Sequence, residues 1–446
     1  MEDKDVNCEV VNDQSYNDEV LQGDSKVRSD LDSSVLCKPL QVSASHHSLT
    51  PSYDYYRRWE TVGLTSNGLF GNSIEFKIMS YNVRSQSLLE KYPWFYKKCP
   101  SQSLLWENRV RLLFNDIINQ LPDILCLQEI EEKQVGMFNL KLNELGYQGV
   151  YKKKSSDAMS DGCATYIKQS TFKFGDVTFV EFSQPKVTIL DRHNIGIITK
   201  LIPKRMPAKT LVVANTHLLY NESKGIIRLA QMKVFLAEID RVSYVFNGRD
   251  SGYLPIILTG DFNSKPDSPV VELLQVGQVS SVEEKQWNNE EWQKIGITDN
   301  CQHLSVFVNR SYGLSTDFRE LCIYNSEYSS SCEQGSKSFT SEMLHEAVYY
   351  DLFHSNIVSN TLHFRTIYET NRGKQNRFFE ASVYHDTWYL IDYIFYTACS
   401  GLRPIERFSL LDSCDRKNVG TLPSDYYGSD HISLVVVFEL TSKRPF

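Results

Sequence analysis

The chain has 446 residues, 41% of them hydrophobic and 12% aromatic, which is enough apolar material for a sizeable core. Its net charge of −8 is uneven: residues 1–50 hold ten acids and four bases, and the other 396 hold 45 and 43. The body is thus close to neutral, so no broad basic field marks it for nucleic acid, and a polyanionic substrate has to be held by local charge or by metal.

Ten cysteines are scattered without a CxxC pair or a zinc-like Cys/His spacing, and Cys126 sits in the apolar run ILCLQE. That usage fits a reducing compartment better than a disulfide scaffold. The opening MEDKDVNCEV lacks the apolar core of a signal peptide, and no run approaches the ~20 apolar residues needed to span a bilayer. A soluble chain is expected, cytoplasmic with the nucleus also open to it, away from membranes and monomeric.

In chain order, residues 1–55 read as a disordered acidic arm, rich in Asp, Ser and Asn, with Tyr16 the one aromatic before residue 51. Order is expected from the aromatic cluster YDYYRRWE, giving one domain over 56–446. FKIMSYN (76–82) reads as a strand ending in Asn82, and WENRVRLLFNDIINQ (106–120) as a helix with Val110, Leu113, Phe114 and Ile117 on one face. DILCLQE (123–129) delivers Glu129, and TLVVANTH (210–217) delivers Asn215 and His217. A second helix is expected over 223–243. IILTGDFN (256–263) then delivers Asp261 and Asn263. An irregular insertion with some helix and long loops is expected over 275–345. YLIDYIFY carries Asp392 in mid-strand, and GSDHISLVVVFEL opens with Asp430 and His431. Strands interleaved with helices, plus hairpin-like pieces, predict an α/β fold with mixed sheets.

Taken singly, these polar exits have plain readings. Asn82 and the Asp261/Asn263 pair suit turns, Glu129 could start a solvated helix, and a lone histidine is more often structural than catalytic. Asp392 is harder to explain, since a carboxylate flanked by Leu390, Ile391, Tyr393 and Ile394 needs a partner if buried. Six strands that each carry such groups point to one convergent site. Oxygen ligands from Glu129, Asn82 and Asp430 suit Mg²⁺, with Mn²⁺ as substitute, and histidines with carboxylate neighbours suit hydrolysis of a phosphate ester. The run Lys152-Lys153-Lys154 reads as a solvated face.

The ordered set SYN, LQE, NTH, GDFNS, DYIFY and SDH resembles the endonuclease/exonuclease/phosphatase superfamily over residues 56–446. The strings MSYNVRSQSLLEKYPWFYKKC, DILCLQEIEE, LGYQGVYKKK with DGCATYIK, NTHLLYN and GDFNSKPDSP are similar to its Angel branch, related to nocturnin and the cytoplasmic poly(A) deadenylases. The resemblance implies a two-layer β-sandwich of mixed sheets flanked by helices, with the site at one rim. It implies Glu129 as principal Mg²⁺ ligand, with Asn82 and Asp430 beside the metal. Asp261 would handle the water, Asn263 and Asn215 the phosphate, His217 the leaving group, and His431 with Asp392 the catalytic pair. Asp161 of DGCA would be substrate-side architecture.

Two positions depart from the pattern: Arg84 stands where relatives carry an apolar residue, and Glu222 where a proline is common. The implied activity is removal of 2′,3′-cyclic phosphate from RNA 3′ ends, with a 3′→5′ exoribonuclease acting on poly(A) as the alternative. A third reading, from another class, takes YNDEVLQ (16–22) as a docking helix for the cap-binding translation initiation factor.

Overall fold

Ser73–Asn82 alternates as a half-exposed ribbon cannot: Phe76 and Ile78 face one core, Met79 and Tyr81 another. In the computed structural model this strand is the centre of a seven-stranded sheet ordered Trp59–Thr61, Leu402–Phe408, Leu434–Thr441, Ser73–Asn82, Ile124–Glu131, Asp161–Lys168, Tyr147–Lys153. The structure describes residues 56–64, 72–247, 249–280, 287–312, 346–368, 380–398 and 401–442, all within the unit Pro51–Phe446. The acidic arm, with its 16–22 motif, lies outside the described residues.

A second sheet of six strands is ordered Phe364–Thr366, Asp392–Thr397, Ile256–Asp261, Leu211–His217, Ile195–Pro203, Phe172–Glu181. Ile78, Ile124 and Cys126 of the first sheet share a core with Val213, Leu258 and Ile394 of the second, so the two pack face to face. The outer face of the first sheet is covered by Trp106–Gln120 and Glu132–Glu144, through Leu113, Phe114, Ile117, Phe138 and Leu142. This is the two-layer α/β sandwich of mixed sheets.

The helix expected at 223–243 runs Gly225–Ser243 and is buried almost all round, on faces where an amphipathic surface helix would be wet. Its far side is covered by the segment expected to be an irregular insertion. There the helices Asn289–Ile295 and Leu304–Tyr312 bring Trp292 and Ile297 into the main core. Lys233 Nζ donates to Asp299 (2.9 Å), and Arg310 pairs with Asp240 (2.8 Å). The described part of that stretch is therefore core, because it is what buries the helix; residues 313–345 lie outside the described residues.

Strand direction gathers the polar exits. Ser73–Asn82 runs parallel to Ile124–Glu131, and Leu211–His217 parallel to Ile256–Asp261, so each pair ends at one edge of its sheet. Their antiparallel neighbours start there. Asp261 faces Asp392, and Leu434 faces Ser80 just after the Ser429–His431 turn. Asp392 is accordingly the first residue of its strand and not a mid-strand position. No helix among the described residues is long and apolar enough to cross a membrane.

Candidate active site

Strict alternation would turn Glu129 to the outer helices, as it turns Leu125 and Leu127. A β-bulge prevents this. Gln128 pairs with Cys163 and Ile130 with Gly162, leaving Glu129 unpaired at φ +60, with Ile130 back among the helix-facing residues. The extra residue re-aims the carboxylate to the rim. Arg84 (φ +53) and Asn263 (φ +48) turn the exits of two other strands in the same way. Gly260 (φ +140) lets its strand close on the neighbour, since a Cβ there would meet Thr216 O at 1.9 Å.

Asn82 joins the two sheets. Its Nδ2 donates to Glu129 Oε1 (3.0 Å) and to Asp261 Oδ2 (2.8 Å), while its Oδ1 accepts from Arg84 N (2.9 Å). Two carboxylates need a donor and a backbone N–H needs an acceptor, so the network fixes the amide. Asn82 is expected to offer a metal its oxygen; that oxygen accepts the Arg84 N–H, which takes one of its two acceptor positions. Ser85 N donates to Glu129 Oε2 (2.9 Å). Burial would raise the Glu129 carboxyl, but Arg84 and His217 outweigh it and bring the pKa to about 2.

His431 Nδ1 lies 2.9 Å from Asp392 Oδ2, which also accepts from Ser382 Oγ (2.6 Å). The other ring nitrogen faces Asp261 Oδ2 at 3.7 Å. Burial pulls His431 down, yet Asp392 and Asp261 overcome it and raise its pKa to about 10. Asp261 is pushed up to about 7 by burial and by Asp392, against the pull of His431. His217 Nε2 stands 3.6 Å from Asp261 and 3.9 Å from Glu129; burial, with Lys154, lowers its pKa to about 3, so its ring is neutral. Asn263 donates its backbone N–H to Asp261 Oδ1 (2.9 Å) and lines a cleft beside these groups.

Two expected substrate contacts lie elsewhere. Asn215 is fully buried one layer below, between the sheets: its Oδ1 accepts from Gln128 Nε2 (2.8 Å) and its Nδ2 donates to Ala164 O (2.9 Å). It ties the layers, leaving no oxygen or N–H for a phosphate. Asp161 is the buried counter-ion of Lys154, at 2.7 Å. The lysine run is likewise not one solvated face. Lys152 pairs with Glu181 and Lys153 with Glu132 at the surface, whereas Lys154 is buried toward Glu129 and His217.

His385 and Tyr96 were missed. Tyr96 Oη donates to Asp430 Oδ2 (2.7 Å), and His385 Nε2 lies 3.0 Å from the same oxygen. His385 ends one strand of a two-strand hairpin, Val383–His385 with Thr387–Tyr389, and stacks on Phe95 (5.3 Å). Its one sequence signal was a histidine between aromatics in VYHDTWY. The cleft, about 770 Å³, has Phe95, Tyr220, Lys265, His385 and Tyr389 in its walls.

The donor set suits a hard divalent cation. Glu129 and Asp430 are buried carboxylates, Asp430 held well below its usual range where Arg84 and His385 outweigh burial, and a guanidinium already lies between them. Glu129, His217 and Asp261 also place one ligand atom each within 4.8 Å of the others.

The sequence matches the Endonuclease/Exonuclease/phosphatase family over residues 79–431. Protein angel homolog 2 of Homo sapiens is 31% identical over 405 residues, 83% of this chain and 70% of that protein. Protein angel homolog 1 of Rattus norvegicus is 28% identical over 435 residues, 84% of this chain and 65% of that one. Among solved structures, ANGEL2, a 2′,3′-cyclic phosphatase in complex with adenosine-2′,3′-vanadate, superposes with a TM-score of 0.67 at 29% identity, covering 86% of this chain and 98% of that one.

Proposed function

Because the chain belongs to the endonuclease/exonuclease/phosphatase family, with Angel proteins among its relatives, we propose that it is a Mg²⁺-dependent phosphatase that clears 2′,3′-cyclic phosphate from RNA 3′ ends. The observation that carries this is the contact of Asp261 with Asn82, His217 and His431 at 2.8–3.7 Å, brought together by strand ends of both sheets and the turn before Leu434–Thr441. Removing the cyclic phosphate altogether takes two hydrolyses, each adding one water across a P–O bond and freeing one ribose hydroxyl.

Mg²⁺ held by Glu129 and Asp430 would supply positive charge against the negative charge that builds on the phosphoryl oxygens. The chain's own groups divide the rest. Asp261, poised near 7, orients the attacking water and accepts its proton. His431, kept protonated by Asp392, presents an N–H to the phosphate, and neutral His217 stands where a leaving oxygen can take a hydrogen bond. Asn263, whose Nδ2 gives one hydrogen to Leu218 O (3.0 Å), contributes its remaining N–H at the cleft edge, and Lys154 adds fixed positive charge from behind. The aromatic walls suit a terminal nucleoside, whose base can stack on any of them.

The test offers short RNAs ending in 2′,3′-cyclic phosphate, 3′-phosphate or 3′-hydroxyl, with Mg²⁺, to wild type and to Asp261→Ala. Loss of phosphate without shortening is expected from wild type alone. A ladder of shorter RNAs from the 3′-hydroxyl substrate means an exoribonuclease instead, and equal activity in the variant removes Asp261 from the chemistry.

A further inference from the structure

Two arginines border the acidic rim, and they are held differently. Arg109 is wholly buried with every guanidinium nitrogen in a short bond: Nε to Gly428 O (2.7 Å), Nη1 to Gln86 Oε1 (2.7 Å), Nη2 to Val83 O (2.7 Å) and Arg84 O (2.6 Å). It is a fixed strut. Arg84 is 8% exposed, and its charge contacts are long, Nη1 to Glu129 Oε1 at 3.4 Å and Nε to Asp430 Oδ2 at 3.5 Å. Guanidinium–carboxylate bonds that lock a side chain are shorter and bidentate, near 2.7–2.9 Å. The Arg84 Nε has no hydrogen-bond partner, and the guanidinium carbon lies 5.7 Å from the centre of the Tyr96 ring. Its backbone, by contrast, is pinned by Asn82 and Arg109. Charge, and not geometry, keeps the guanidinium between the two acids, so only the side chain is free to leave.

We propose that Arg84 is a built-in competitor for the divalent ion: without the ion its guanidinium neutralises Glu129 and Asp430, and the ion binds as the guanidinium withdraws from them. This rests on the assignment of Glu129 and Asp430 to the ion. A guanidinium does not shed its proton, so it cannot be neutralised in place. A second cation close beside it in a buried site is strongly repelled, because little water screens the two charges there. Unless the side chain moves, ion and arginine exclude each other. The arrangement has two effects. It spares the ion-free protein a pair of uncompensated buried carboxylates, and it weakens the ion's hold.

The full chain is titrated with Mn²⁺ alone, free ion being read by electron paramagnetic resonance, and thermal unfolding is recorded in EDTA and in saturating Mn²⁺. Arg84→Leu is expected to bind Mn²⁺ about tenfold tighter than wild type or better, to unfold at a lower temperature in EDTA, and to gain more from the ion. Arg84→Gln, which keeps the polar stem without charge, moves the same way and serves if the leucine variant fails to fold. Glu129→Gln separates the two levels of the argument. If it loses Mn²⁺ while the Arg84 variants bind no tighter than wild type, competition is wrong and the ion assignment stands. If it binds as wild type does, the ion is not at Glu129 and both ideas fall.

Discussion

At the scale of single residues, the site depends on which group keeps a proton. His431 is held between Asp392 and Asp261, and the hydroxyl of Ser382 fixes the Asp392 oxygen that holds the ring. Replacing Asp392 by Asn keeps the volume and removes the charge that keeps His431 protonated. Steady-state kinetics on Asp392→Asn are expected to show kcat lower by about 10²-fold or more with KM little changed, as for loss of a positioned proton donor. A proportional rise in KM at unchanged kcat would instead mean that Asp392 serves only substrate binding. Much of this set was legible in the sequence, not from any one acid or histidine, each of which has a plain reading alone, but from six apolar segments that all carry such groups. What was not legible is orientation. Nothing local shows that Asn82 turns its NH₂ to the acids, or that Asn215, on the same strand face as His217, is committed to Gln128 across the sandwich.

At the scale of elements, the polar exits are aimed by backbone that ordinary strands avoid. Gly260 shows the tolerance. With φ +140 and Thr216 O in the place of a Cβ, Gly260→Ala must push two parallel strands apart directly before Asp261. Loss of about 2–4 kcal/mol of stability is expected by denaturant titration, together with a fall in activity beyond the folded fraction. A variant as stable and active as wild type would show that the strands relax freely. The helices over 106–120 and 223–243 and the six strands could be read from period and composition. The bulge at Glu129 could not, since it follows from pairing with Asp161–Lys168, a partner distant in the chain. Nor could the Val383–Tyr389 hairpin, whose strands are three residues each and gain their place from the bridge between Val383 and His431.

At the scale of the whole molecule, stability rests partly on polar ties behind the helix Gly225–Ser243. Glu238 Oε1 lies 2.6 Å from His303 Nε2, and Glu238 Oε2 accepts from Arg241 at 2.9 and 2.7 Å. Burial opposes ionisation of Glu238, but the bonds to His303 and Arg241 prevail and bring its pKa from 4.5 to about 2. A depressed carboxyl stabilises the fold above its unfolded value and loses that contribution as pH falls through the folded one. Glu238→Gln is therefore expected to be less stable than wild type at neutral pH, by up to about 3 kcal/mol. The gap should close between pH 4.5 and about 2 in denaturant titrations across that range. A gap independent of pH would assign the effect to packing.

The site is also split by origin. Its acidic floor comes from the ends of strands in both sheets, where one residue cannot shift without disturbing the core beneath. The cleft walls come from pieces between the strands: the turn around Phe95, the loop carrying Tyr220 and Glu222, which Arg228 holds by the Leu219 and Asn221 carbonyls, and the hairpin of His385 and Tyr389. Floor and walls can then diverge at different rates. A lineage can redraw the walls to suit another terminal nucleotide while the machinery for breaking the P–O bond is inherited unchanged.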